Sequence, residues 1–134
     1  KDGYPQIAKL FRAVAEAETV HAHAHLRTLG EVKSTAENLE AAISGETHEF
    51  NTMYPAMIET AREEGESKAE KSFIYANEVE KVHSKLYQKA LENIAESYNV
   101  DYHICSVCGY TAENEAPDKC PVCGAKSVAF FSVE

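Results

Sequence analysis

The chain has 134 residues, the size of one ordinary domain or of one domain with a small appendage. Asp and Glu number 22 against 13 Lys and Arg, a formal charge of −9, which argues against nucleic acid or an anionic membrane as partner, because both require basic surface. No apolar run reaches the roughly 18 residues of a membrane span, so no transmembrane helix is expected. The chain opens on Lys1-Asp2-Gly3-Tyr4-Pro5, which resembles a turn between two helices, so a segment upstream is expected.

Pro5 suits the first turn of a helix, where its missing N–H costs nothing. Ile7, Leu10, Phe11, Val14, Glu18, His21, His25 and Leu29 follow at helical spacing on one face, and Gly30 is a natural stop. Ser34 or Thr35 can cap a second helix. Its inner face reads Leu39, Ala42, Ile43, Glu46, Glu49, Phe50, Met53 and Met57, up to Gly65. Pro55 lies inside this helix and frees the carbonyl of Asn51, so a kink is expected there. Gly45 is unfavourable in a helix interior and suggests close packing near the site. A third helix is expected from about Glu66 to Tyr98, with Phe73, Ala76, Glu80, His83, Tyr87, Leu91 and Ile94 facing in. Three long helices without strand-like alternation read as an all-α bundle over residues 1–98.

Composition changes after Tyr98. Every cysteine lies in the tail, as Cys105-x-x-Cys108 and Cys120-x-x-Cys123, and the surrounding Gly and Pro give turn sequences with no helical period. Residues 99–134 are too few to fold on hydrophobic burial alone, so a small irregular or β module held by a metal is expected. Four thiolates at a tetrahedral centre bind iron or zinc, and the motif does not choose between them. Thiolate ligation implies a reducing interior, hence a cytoplasmic protein.

The bundle carries its own chemistry in three pairs with one spacing: Glu18-x-x-His21, Glu46-x-x-Glu49 and Glu80-x-x-His83. Residues three apart share a helix face, so each pair can aim two ligands into one space. One such pair is weak evidence, since Glu is common on solvated faces. Here each pair falls within the apolar stripe of its helix, where an uncompensated charge is costly. A hairpin at Gly65 also brings the second and third pairs to one level. Carboxylate and imidazole in this arrangement suit a di-iron or di-manganese centre. His25 shares the face of His21 and reads as a ligand, as a partner to a ligand, or as a packed or solvated histidine. His23 and His48 point away from the ligand face.

These features together resemble rubrerythrin, a ferritin-like di-iron bundle followed by a rubredoxin-like domain. The likeness runs the length of the chain. It includes Ile7-Ala8-Lys9-Leu10-Phe11-Arg12, Gly45-Glu46-x-x-Glu49, Tyr54-Pro55 and Cys105-x-x-Cys108-Gly-Tyr. The resemblance implies an Fe–O–Fe di-iron centre and a mononuclear Fe(Cys)4 centre on Cys105, Cys108, Cys120 and Cys123, with zinc possible in either site as isolated. It implies that Glu18 and Glu80 bridge the irons, Glu46 and His83 serve one iron, and Glu49 and His21 the other. Tyr54 matches a family tyrosine near the cluster, and with Glu18 and Glu80 it forms the expected catalytic set. The chain departs from the family in lacking an N-terminal helix that carries a further ligating Glu, so three of four helices are present.

The implied activity is reduction of hydrogen peroxide to water, with electrons drawn through the thiolate iron from an external donor such as a rubredoxin or an NAD(P)H-linked reductase. A ferroxidase or iron-storage protein is the competing reading, but storage needs no thiolate relay. A non-catalytic zinc-ribbon module on a helical stalk is another, and the in-phase Glu-x-x-His pairs argue against it. Three apolar stripes leave a bundle open on one side. The link from Gly30 to Thr35 spans at most roughly 20 Å at ~3.4 Å per residue. The helices it joins are each about 40 Å long at ~1.5 Å per residue, so the link cannot return along the bundle. A helix-swapped homodimer, each site drawing ligands from two chains, is the expected assembly.

Overall fold

The computed structural model describes residues 2–96 and 99–133. The chain divides into two compact units, Lys1–Thr35 and Ala36–Glu134. The first unit is a single helix, α1 (Pro5–Thr28), with Pro5 in its first turn. It ends where Gly30 adopts φ +72°, with Gly30 N–H donating to the Arg27 carbonyl and Glu31 N–H to that of Leu26. That pair of bonds satisfies carbonyls the helix end would leave open, and glycine takes the left-handed turn without a Cβ clash.

No residue of α1 is buried. The stripe expected to face inward is exposed throughout, with Ile7 at 52 % and Phe11 at 72 %. The periodicity that marks the apolar face does not say which chain will cover it.

The second unit opens with α2 (Thr35–His48), a π-helical turn (Glu49–Met53) and α3 (Tyr54–Glu63). The irregularity expected before Pro55 takes the form of this π turn, in which Tyr54 N–H donates to the Glu49 carbonyl. Pro55 has no N–H to extend the α ladder, so a wider turn absorbs the mismatch. Gly65 (φ +73°) closes α3 with the same two bonds seen at Gly30, Gly65 N–H to Arg62 O and Glu66 N–H to Ala61 O. The chain then reverses into α4 (Ser67–Glu92), which packs along α3 and the π turn. Ala61 of α3 and Val79 and Ser84 of α4 are buried, and the Tyr54 and Phe73 rings lie 6.4 Å apart. Arg62 holds Glu70 at 2.8 Å across the hairpin turn.

The last helix is shorter than expected. It ends at Glu92, where the Asn93 side chain donates to the Lys89 carbonyl at 2.6 Å. Asn favours such local bonds over helix continuation. Ile94 lies past the end and is exposed, and the expected terminus at Tyr98 falls outside the described residues. Gly45 also departs from expectation: a Cβ there would meet nothing within 4 Å.

The tail folds into a three-stranded antiparallel sheet ordered β2-β1-β3, from β1 (Tyr102–Cys105), β2 (Thr111–Glu113) and β3 (Phe130–Val133). It lies against α4. Val79 Cγ1 sits 3.8 Å from where a Gly109 Cβ would be, and Lys89 pairs with Glu113 at 2.6 Å.

Candidate metal centres

The two Cys-x-x-Cys segments fold into matching knuckles. Cys105 N–H donates to the Tyr110 carbonyl and Gly109 N–H to the Cys105 carbonyl. Cys120 N–H donates to Ala125 O and Gly124 N–H to Cys120 O. Gly109 and Gly124 both take positive φ, which lets each turn close tightly around its sulfurs. Cys105 and Cys120 are buried.

The sulfurs face one another across the two knuckles, with Cys105 Sγ 3.7 Å from Cys123 and Cys108 Sγ 3.5 Å from Cys120. All four lie within 4.8 Å of one another. A tetrahedral ion with metal–sulfur bonds of about 2.3 Å requires sulfurs about 3.8 Å apart, so this set fits a single ion. The electrostatics fit as well. Burial pushes the Cys108 and Cys123 thiols up. Burial also opposes ionisation of Cys105, yet hydrogen bonds from the Val107 and Cys108 amides bring it below the ordinary range. Four thiolates cannot share so small a space without a cation to offset them.

The second group lies on α2 and α4. Glu46, Glu80 and His83 offer ligand atoms within 4.8 Å of one another. His83 Nδ1 lies 2.8 Å from Glu80 Oε2 and 3.7 Å from Glu46 Oε1. Glu46 Oε2 is buried with no hydrogen-bond partner, an orphaned oxygen that a cation would satisfy. Burial pushes the Glu46 carboxyl up to about 7, helped by a hydrogen bond to Glu80 and by the charges of Glu80 and Glu49. A cation would have to displace that proton, and a donor set of carboxylates and imidazole suits a hard or borderline cation such as iron or manganese.

Glu49, at the start of the π turn, is half-buried and acts on this group through its charge. The Tyr54 hydroxyl is held above its ordinary pKa by burial and by the charges of Glu80, Glu49 and Glu46. Glu18 and His21 belong to the first unit, where they pair with each other at 3.1 Å on an exposed face. His23, His25 and His48 are exposed.

Sequence reasoning missed how the two centres meet. His83 Nε2 lies 3.3 Å from the Gly109 carbonyl and 3.2 Å from Thr111 Oγ1, both in the thiolate module. One imidazole therefore has a carboxylate cluster on one nitrogen and the backbone next to Cys108 on the other. A cleft of about 440 Å³ opens beside it, lined by Leu39, Leu86, Tyr87, Ala90 and Tyr102 in addition to His83 and Thr111.

Comparison with known proteins agrees with both centres. The rubrerythrin family matches residues 1–91, and the rubrerythrin rubredoxin-like domain matches residues 103–131. Rubrerythrin-2 of Clostridium acetobutylicum is 39 % identical over 95 % of this chain and 78 % of its own. Nigerythrin of Nitratidesulfovibrio vulgaris is 36 % identical over 92 % of this chain and 68 % of its own. The solved structure of nigerythrin in a mixed-valence state superposes with a TM-score of 0.72 at 35 % identity, covering 98 % of this chain and 72 % of that one. The fully reduced, all-ferrous state gives 0.71 at 34 % identity over the same shares. The chain belongs to the rubrerythrin family, in which a ferritin-like di-iron domain is followed by a rubredoxin-like Fe(Cys)4 domain.

Proposed function

We propose that this chain is a peroxidase that reduces hydrogen peroxide to water, taking electrons one at a time through its thiolate site from an external donor such as a rubredoxin or an NAD(P)H-linked reductase. The observation that carries this reading is the position of His83, with Nδ1 against Glu80 and Nε2 against the carbonyl that follows Cys108. An iron-storage protein has no use for such a link, and a zinc ribbon has no use for the carboxylates. Bound iron would supply the change of oxidation state, two electrons being needed with two protons to convert one peroxide into two waters.

The chain's own residues hold and orient. Glu46, Glu49, Glu80 and His83 form the part of the ligand set that lies in the bundle, and Cys105, Cys108, Cys120 and Cys123 form the other centre. Tyr54, kept protonated by burial and by the surrounding carboxylates, can donate a hydrogen bond to an oxygen of the peroxide. Domain boundaries at 1–98 and 99–134 suit this division of labour. Thiolate ligation suits a reducing cytoplasm, and no helix among the described residues is long and apolar enough to cross a membrane.

Glu18 and His21 complete the set from a second copy in a helix-swapped homodimer. The fully exposed stripe of α1 supports this, because a long amphipathic helix with no buried residue calls for a covering surface. Light scattering tests the assembly: a monomer that binds two irons per chain would refute the swap. For the activity, reduced iron-loaded protein mixed with one equivalent of peroxide under argon should oxidise in a single turnover. Glu80→Ala should abolish that reaction. If it reacts at the native rate, the carboxylate centre is not where peroxide is reduced.

A further inference from the structure

Thr111 opens β2 and stands 28 residues along the chain from the imidazole it touches. Its hydroxyl has two neighbours. Thr111 Oγ1 donates to the Gly109 carbonyl at 3.3 Å and lies 3.2 Å from His83 Nε2. The Gly109 carbonyl can only accept, so the hydroxyl proton points at it and the threonine lone pairs face the ring. The same carbonyl lies 3.3 Å from Nε2. Both oxygens therefore ask for a proton on Nε2. A neutral imidazole protonated there presents its lone pair from Nδ1, the nitrogen that faces Glu80 at 2.8 Å and Glu46 at 3.7 Å.

We propose that Thr111 is a positioning residue for His83: it fixes the ring's orientation and tautomer so that Nδ1 is presented as a metal ligand. The inference rests on the reading of Glu46, Glu80 and His83 as a metal-binding set. The Gly109 carbonyl alone leaves the ring free to rock about one long hydrogen bond, and the hydroxyl adds a second contact that removes this freedom. Thr111 acts through His83 and is not itself one of the metal-binding residues. Because Thr111 and Gly109 belong to the knuckle of Cys105 and Cys108, the orientation of a carboxylate-site ligand depends on a correctly folded thiolate module.

The test uses the full chain with zinc in its thiolate site, titrated with cobalt(II) by calorimetry. Loss of an outer partner of a ligating histidine weakens metal binding by about 10–100-fold, so Thr111→Val should bind cobalt at the carboxylate site at least about tenfold more weakly. Thr111→Ser, which keeps the hydroxyl, should restore the native affinity. Valine suits a strand, and zinc retained in the thiolate site shows that the module has folded. Native affinity in Thr111→Val, or an equal loss in Thr111→Ser, overturns the proposal. His83→Ala is the separate control. Unchanged cobalt binding in that variant overturns the metal-site reading itself, whereas weakened binding there beside native binding in Thr111→Val removes only the role of Thr111.

Discussion

Replacing Glu46 by glutamine should make the metal-free carboxylate site more stable while destroying its affinity for a cation. The Glu46 carboxyl is pushed up from 4.5 to about 7 by burial and by the neighbouring Glu80 and Glu49. Its side chain is only 17 % exposed, so water screens it weakly. Between those two pH values the folded chain keeps a proton on Glu46 that the unfolded chain has lost. The stability this group contributes is therefore complete below about pH 4.5 and is lost as the pH rises to about 7. At ~1.4 kcal/mol per pH unit the whole loss is about 3 kcal/mol. Glutamine mimics the protonated acid and does not titrate. Urea denaturation of both proteins, with zinc in the thiolate site and the carboxylate site stripped, should show little difference near pH 4.5. By pH 8 the Glu46→Gln protein should be more stable by about 3 kcal/mol. Saturating iron(II) should reverse the order, because a ligand stabilises only the protein that binds it. A difference that stays constant from pH 4.5 to pH 8 would show that Glu46 is not the buried acid described, and would refute the reasoning.

Two further substitutions separate the roles of the two centres and of the helix that bears Glu46. Cys120→Ser should leave the single-turnover reaction of reduced protein with peroxide intact while stopping steady turnover from an external donor; native steady turnover would sink the relay. Gly45→Ala should stabilise the chain by about 0.5–1 kcal/mol in thermal denaturation, since a Cβ there meets open space. Destabilisation would mean that another chain packs on Gly45.

What could be read from the sequence follows from how local each signal is. The thiolate knuckles are short motifs closed by their own backbone bonds, so Cys105-x-x-Cys108 and Cys120-x-x-Cys123 announce their geometry within a few residues. Helical phase carried the bundle side, placing Glu46, Glu80 and His83 on faces that a hairpin at Gly65 brings together. Endings and irregular turns were harder. Pro55 announced a defect but not its form, because a π turn and an open kink both answer a missing N–H. Asn93 ended α4 early through one side-chain bond to Lys89, a choice that competes closely with helix continuation.

Contacts between the helices and the sheet were not legible at all. His83 reads in the sequence as half of a Glu-x-x-His pair, with one useful nitrogen. Its second nitrogen acquires a role only when the sheet docks on α4, through Val79 at Gly109 and the Lys89–Glu113 pair. No pattern in the chain marks Thr111, since a threonine at the start of a strand is ordinary. The same limit applies to α1 from the opposite direction. Its periodic face shows that Ile7, Leu10, Phe11 and Val14 want cover, yet all four are exposed. Glu18 and His21 share that face, so under the proposed helix swap burial of the stripe and completion of the carboxylate site would be one event. Phe11→Glu should then weaken both: cobalt affinity at the carboxylate site and dimerisation by light scattering should fall together. Loss of dimerisation with native cobalt affinity would separate them and remove the second copy from the site.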